Sequence, residues 1–218
     1  MVFGVVNTPL LNLMIFLLKD VPGSVGEFLF YYNENDAYFN YGYYTFGQLT
    51  GKYESTDIYG HKFFRYLSNG QLHRDGDEPA DICYYADYSN PQKLKIPGNG
   101  NKLYETWYVN GQYHRDGDSP AQIYYHENGN KQSETWYVNG LRHRDGDSPA
   151  DIEYYADYSN PQKLKIPGNG NKKIEQWYVN DKCHRDNDLP AEICYYENGE
   201  QKSESWIMSS QWIRTRSY

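Results

Sequence analysis

The segment AQIYYHENGNKQSETWYVNGLRH, residues 121–143, decides the fold. It holds two Asn-Gly dipeptides, Asn128-Gly129 and Asn139-Gly140, each set between aromatic, strand-forming runs. Asn-Gly is the favoured pair of a two-residue type I′ hairpin turn. Such a turn at Asn128-Gly129 pairs Glu127 with Asn130, Tyr125 with Gln132, Ile123 with Glu134 and Ala121 with Trp136. The second turn pairs Val138 with Leu141 and Trp136 with His143. Directly paired residues share a face, because side chains alternate along strands. One face therefore carries Ala121, Ile123, Tyr125, Glu134, Trp136 and His143, and the other carries Gln122, Tyr124, His126 and Arg142.

The same pattern recurs along the chain, and a repeat found first prevents a misread fold. Trp107, Trp136, Trp177 and Trp206 are spaced 29, 41 and 29 residues apart, and Tyr66 stands 41 before Trp107. His73-Arg74, His114-Arg115, His143-Arg144 and His184-Arg185 follow in step. The units run 66–106 (long), 107–135 (short), 136–176 (long) and 177–205 (short), with 206–218 as the C-terminal end. Residues 84–102 are identical to 154–172, which points to duplication of a long-short pair. Residues 37–65 read as a degenerate unit, since Ala37-Tyr38-Phe39-Asn40 falls on Trp-Tyr-Val-Asn and terminal repeats are atypical. The slots of the first face are refilled in each unit. They are Ile82, Ile123, Ile152 and Ile193; Tyr84, Tyr125, Tyr154 and Tyr195; Glu105, Glu134, Glu175 and Glu204; Trp107, Trp136, Trp177 and Trp206; and His114, His143 and His184. The opposite face varies: the slot of Tyr124 is Cys83, Glu153 and Cys194 elsewhere. The expectation is an all-β, elongated antiparallel meander, a single-sheet repeat array.

Composition agrees with a thin architecture. Leu, Ile, Val and Phe total 41 of 218 residues, and 16 of these lie in the first thirty, so the rest cannot build a thick aliphatic core. The 25 tyrosines and 5 tryptophans supply buried area with a polar handle instead. A net charge of −8 disfavours nucleic acid and anionic membrane as partners and leaves protein partners. Cys83, Cys183 and Cys194 show no metal spacing, and an odd count points to reduced thiols in an intracellular setting.

No motif rises to catalysis. His-Arg-Asp resembles the kinase catalytic triplet, but no glycine-rich loop or Asp-Phe-Gly accompanies it. His143 lies diagonal to Glu134, an arrangement fit for acid–base work. The arrangement recurs with His73, His114 and His184, and a ladder of satisfied hydrogen bonds needs that repetition where an active site does not. Asp-Gly-Asp at Asp75, Asp116 and Asp145 lacks the twelve-residue calcium loop of an EF-hand, so it reads as a turn whose carboxylates pair with the adjacent Arg. The expectation is no enzyme, no cofactor and no metal.

Residues 1–36 form an apolar N-terminal segment. Thr8-Pro9 starts a short helix over Leu10 to Leu18 that Val21-Pro22-Gly23 stops. It is too short to span a bilayer and lacks a signal-peptide start, so it reads as a cap or a hook that docks on a partner, in a protein that is not secreted. The long units add twelve residues at the hairpin tip, bracketed by Pro91 and Pro97 and by their copies. These tips carry Tyr88, Leu94, Ile96, Tyr158, Leu164 and Ile166, apolar groups that read as candidate partner contacts.

The W-Y-V-N-G-x-x-H-R-D-G-D-x-P-A pattern with its Glu-Asn-Gly turns resembles the variant MORN repeats abundant in giant DNA viruses of amoebae, with related repeats in a bacterial antitoxin family. The resemblance covers about residues 66–208. It implies an elongated antiparallel sheet and a non-enzymatic scaffold that binds proteins, in a virion or in the host cytoplasm. In viral members of that class an F-box can precede the array, and residues 9–22 resemble its helix without the acidic residue near its start. The alternative the resemblance implies is an F-box-like ubiquitin-ligase adaptor whose repeats bind the target.

Overall fold

The computed structural model describes residues 25–32, 38–45, 48–56, 60–86, 100–156 and 170–218. The first strands are β1 (Val25–Tyr32), β2 (Tyr38–Thr45) and β3 (Gln48–Thr56). The repeats open with β4 (Lys62–Ser68), β5 (Gln71–Leu72) and β6 (Asp81–Tyr84). They continue through β7 (Lys102–Thr106), β8 (Tyr108–Val109), β9 (Gln112–Tyr113) and β10 (Gln122–Tyr125). Next come β11 (Lys131–Thr135), β12 (Tyr137–Val138), β13 (Leu141–Arg142) and β14 (Asp151–Tyr154). They are followed by β15 (Lys172–Gln176), β16 (Tyr178–Val179), β17 (Lys182–Cys183) and β18 (Glu192–Tyr195). The last pair is β19 (Gln201–Met208) and β20 (Gln211–Ser217).

Fourteen strands form one antiparallel sheet in the order β1-β2-β3-β4-β6-β7-β10-β11-β14-β15-β18-β19-β20, with β5 paired to β4 alone. The described residues are thus an all-β meander, as the hairpin pattern requires. At about 4.8 Å per strand the sheet runs roughly 58 Å along its repeat axis. The pairs β8-β9, β12-β13 and β16-β17 stand off it as separate two-stranded hairpins. They hold one another and β5: Gly111 N–H donates to Leu72 O of β5 at 2.8 Å, Gly140 N–H to Tyr113 O at 2.8 Å, and Asp181 N–H to Arg142 O at 3.0 Å. Each unit therefore extends both the main sheet and a side stack.

The two Asn-Gly dipeptides behave differently. Asn139 and Gly140 have φ of +50° and +83°, the type I′ turn, and Val138 pairs with Leu141 as expected. At Asn128-Gly129 only Gly129 has positive φ, at +84°. Gly129 N–H donates to His126 O, and His126 N–H to Asn130 O, both at 2.8 Å. The loop is therefore three residues long, with a glycine bulge, and the expected Glu127–Asn130 pair is replaced by His126–Asn130. The Asn128 side chain drives the change: its Oδ1 accepts the Asn130 N–H at 2.9 Å. Ile123 still pairs with Glu134, but a bulge follows, so Tyr125 faces Lys131 and Gln132 is the extra residue. The same bulge recurs between Glu153 and Tyr154, where Lys173 is the extra residue.

The core is a chain of small clusters. Trp107, Ala121 and Ile123 pack with Tyr125 and Tyr137, and Trp136, Ala150 and Ile152 with Tyr154 and Tyr178. Ala80, Ala121, Ala150 and Ala191 are fully buried, each with its carbonyl accepting the N–H of the aromatic that opens its own unit, Tyr66, Trp107, Trp136 and Trp177 in turn.

Between residues 37 and 65 the strands are longer, and β2 runs unbroken through Asn40. The helical run expected at 10–18 lies outside the described residues, whereas 25–32 form β1, the first strand of the sheet.

Candidate functional site

The repeated residues form three ladders across the sheet. The first alternates isoleucine and glutamate: Ile82, Glu105, Ile123, Glu134, Ile152, Glu175, Ile193 and Glu204 face one another in successive strands. Glu105, Glu134 and Glu175 are buried. Lys102, Lys131 and Lys172 reach them at 2.6, 2.5 and 2.5 Å. Tyr125, Tyr154 and Tyr195 donate to their second oxygens at 2.7, 2.6 and 2.5 Å. Each tyrosine belongs to the unit after its glutamate, so the bonds cross between units. Burial, then the glutamate acceptor, pushes these phenols well above the ordinary tyrosine range, so they remain donors. Tyr84 meets Phe64 edge-on instead, at 5.8 Å, because phenylalanine fills the glutamate slot there.

The second ladder is built on arginine. Arg115, Arg144 and Arg185 lie over Trp107, Trp136 and Trp177 at 3.8–3.9 Å. Their forks take Asp77, Asp118 and Asp147 of the preceding unit in two bonds each, at 2.6–2.9 Å. The expected pairing of Asp-Gly-Asp with its adjacent arginine is thus replaced by pairing with the next unit's arginine, which the strand order brings alongside. The guanidinium holds each of these aspartates below the usual carboxylate range. Arg214 of β20 caps the array on Asp188 and lies over Trp206 at 4.4 Å. The indole N–H groups of Trp107, Trp136 and Trp177 are buried without a partner.

The third ladder is histidine. The diagonal His143–Glu134 arrangement does not form a bonded pair: His143 Nε2 meets Asp145 at 3.1 Å, and Glu134 is taken by Lys131 and Tyr154. His114 Nδ1 accepts the Asn139 N–H at 3.1 Å, which places its proton on Nε2, facing Asp116 at 3.1 Å. His73 is held the same way by Asn110 and Asp75. His73 and His114 therefore bond to the next side hairpin, whereas the Nδ1 atoms of His143 and His184 are buried without a partner.

The long-unit tips are anchored at their necks. Tyr85 N–H donates to Asn101 O at 2.9 Å, and Tyr155 N–H to Asn171 O at 2.9 Å. Tyr88, Leu94, Ile96, Tyr158, Leu164 and Ile166 lie outside the described residues. Cys83, Cys183 and Cys194 are thiols rather than disulfides, and burial pushes Cys183 up to about 11, which keeps it protonated. No group of three metal-ligating side chains occurs among the described residues.

The variable face carries a cleft of about 500 Å³ where the short unit 107–135 meets the long unit 136–176. Its cross-strand row is Tyr124, Ser133 and Glu153, in direct register from β10 to β11 to β14. The bulge residues Gln132 and Lys173 border it, as do His126 and Tyr155. Lys173 Nζ meets Glu153 Oε2 at 3.0 Å, and both side chains are 46% exposed. His126 stands where other units have Tyr85, Tyr155 and Tyr196, and its Nε2 is buried without a bond. Sequence reading named the Tyr124 slot as variable but not as part of a site. The signal was present in the departures from the repeat, at Tyr124, His126 and Glu153. Among the described residues no helix is long and apolar enough to cross a membrane. Comparison with known protein families and with curated proteins finds no match to this chain.

Proposed function

We propose that the protein is a non-enzymatic repeat scaffold of the variant MORN type that binds other proteins, in a virion or in the cytoplasm of a host cell. The observation that carries this reading is the use of the repeated polar groups. Glutamate, arginine and histidine in successive units bond within or between units, so the groups that resemble catalytic chemistry serve the sheet. Recognition then falls to the variable face and the tips, which the sheet presents in line.

Affinity capture from the native source, with the full chain and with residues 1–36 removed, tests the proposal. A scaffold retains its partners on truncation. Ubiquitin-ligase components that are lost on truncation would replace the scaffold reading with the adaptor. Capture of no protein by either form would end both.

A further inference from the structure

The molecule repeatedly seats a guanidinium between an aromatic ring and a carboxylate. Arg115, Arg144 and Arg185 do so with tryptophan and aspartate, Arg214 repeats it at the C-terminal end, and Arg142 lies over Tyr178 at 3.9 Å and against Asp181 at 3.4 Å. Flat, weakly hydrated guanidinium suits this sandwich better than ammonium does. At the junction cleft the ring and the carboxylate are present and the arginine is missing. Tyr124 and Glu153 flank Ser133 in one cross-strand row. Two strand spacings separate them by roughly 10 Å, and the serine between them leaves that gap open. Larger residues, Tyr104 and Ile174, fill the serine's slot in the two long units. No cation lies over Tyr124 among the described residues, and Lys173 engages only Oε2 of Glu153.

We propose that this cleft receives an arginine side chain of a partner protein, its guanidinium lying over Tyr124 and bonding Glu153 above Ser133. The scaffold reading supplies only the source of the arginine; the cleft's chemistry stands on its own geometry. Lys173 is the competitor. A half-exposed lysine–carboxylate pair is weakly held, because both charges are solvated and the lysine loses rotamer freedom. A guanidinium that brings two donors and a stacking face displaces it or shares the carboxylate. The net charge of −8 adds a long-range attraction for a basic segment.

The test is an amide chemical-shift titration of the full chain with Nα-acetyl-arginine amide, with the lysine and citrulline amides as comparison probes. Citrulline keeps the shape of arginine and loses its charge. Saturable shifts at Tyr124, Ser133 and Glu153, with the other two probes at least fivefold weaker, are expected. Glu153→Gln should weaken arginine binding at least fivefold, and Ser133→Tyr, which fills the floor, should abolish it. Lys173→Ala should tighten it, by about two- to fivefold as a surface pair is released. Shifts spread over the acidic surface, equal response to citrulline, or unchanged binding in Glu153→Gln and Ser133→Tyr would overturn the proposal. Specific probe binding with no protein captured from the native source would uphold the cleft and defeat the scaffold reading.

Discussion

Glu134 and Glu153 sit on adjacent strands, one residue out of register, and point to opposite faces of the sheet. Glu134 faces Ile152 and is 8% exposed, held by Lys131 and by a tyrosine from the next unit. Glu153 faces Ser133, is 46% exposed, and has a single lysine on one oxygen. The first belongs to a slot that every full unit refills with glutamate in its turn; the second stands where other units have tyrosine or cysteine. The difference teaches that the face decides the use of these two glutamates. On one face the carboxylate stitches units together, and on the other it is left for solvent or a ligand, although the variable-face pairs Arg65–Asp81 and Arg142–Asp181 also cross between units.

The hardest strain on this division is a cut through the stitched face. Trp136→Ala removes the ring that packs on Ala150 and Ile152 and carries Arg144, and should cost about 3–5 kcal/mol. Urea denaturation measures it. A cost below about 1 kcal/mol would mean that the aromatic slots are ornament on a backbone-held sheet.

Asp151 sharpens the comparison, because it is a carboxylate on the variable side of its strand that is nevertheless half-buried. Burial raises it to about 6, and Thr135 and Arg142 offset this only in part. Its folded value lies above its unfolded one, so the folded state binds the proton more tightly. Its contribution is therefore most favourable below about pH 4 and declines as pH rises to about 6, by on the order of 2–3 kcal/mol. Asp151→Asn should restore that amount above pH 7 while keeping the Thr135 bond, and change little at pH 4. Thermal melts at the two pH values give the answer, and equal effects at both would contradict the buried-charge account.

A smaller effect is expected from the inter-unit arginine pairs. A double-mutant cycle with Arg144→Ala and Asp118→Ala should give a coupling of about 0.5–1 kcal/mol, since the aspartate is exposed although the bond is twofold. Tyr124→Ala on the variable face should shift stability by less than about 0.5 kcal/mol, and the unfolding midpoint reads this directly. A larger loss would move Tyr124 into the stitched set.

Much of this was legible in the residues. Fixed spacing located the units, and alternation around Asn139-Gly140 put Ile123 opposite Glu134 and isolated the repeated face. Two things were not legible. Asn128-Gly129 has the same dipeptide as Asn139-Gly140, yet a side-chain bond to Asn130 lengthens its loop, a choice that neither residue type announces. The Tyr154, Arg144 and Asn139 partners of Glu134, Asp118 and His114 lie in neighbouring units, 20–26 residues away, so one unit read alone leaves them out. The cleft escaped notice because it exists only at a short-to-long junction, where two bulges and a serine coincide.

The same substitution on the two faces is the most direct measurement: Glu134→Gln and Glu153→Gln, compared by urea denaturation midpoint at neutral pH and low salt. The division by face predicts a loss of about 1–3 kcal/mol for Glu134→Gln, which strips charge from two partly buried bonds, and less than about 0.5 kcal/mol for Glu153→Gln. Equal losses, or a larger loss at Glu153, would contradict it.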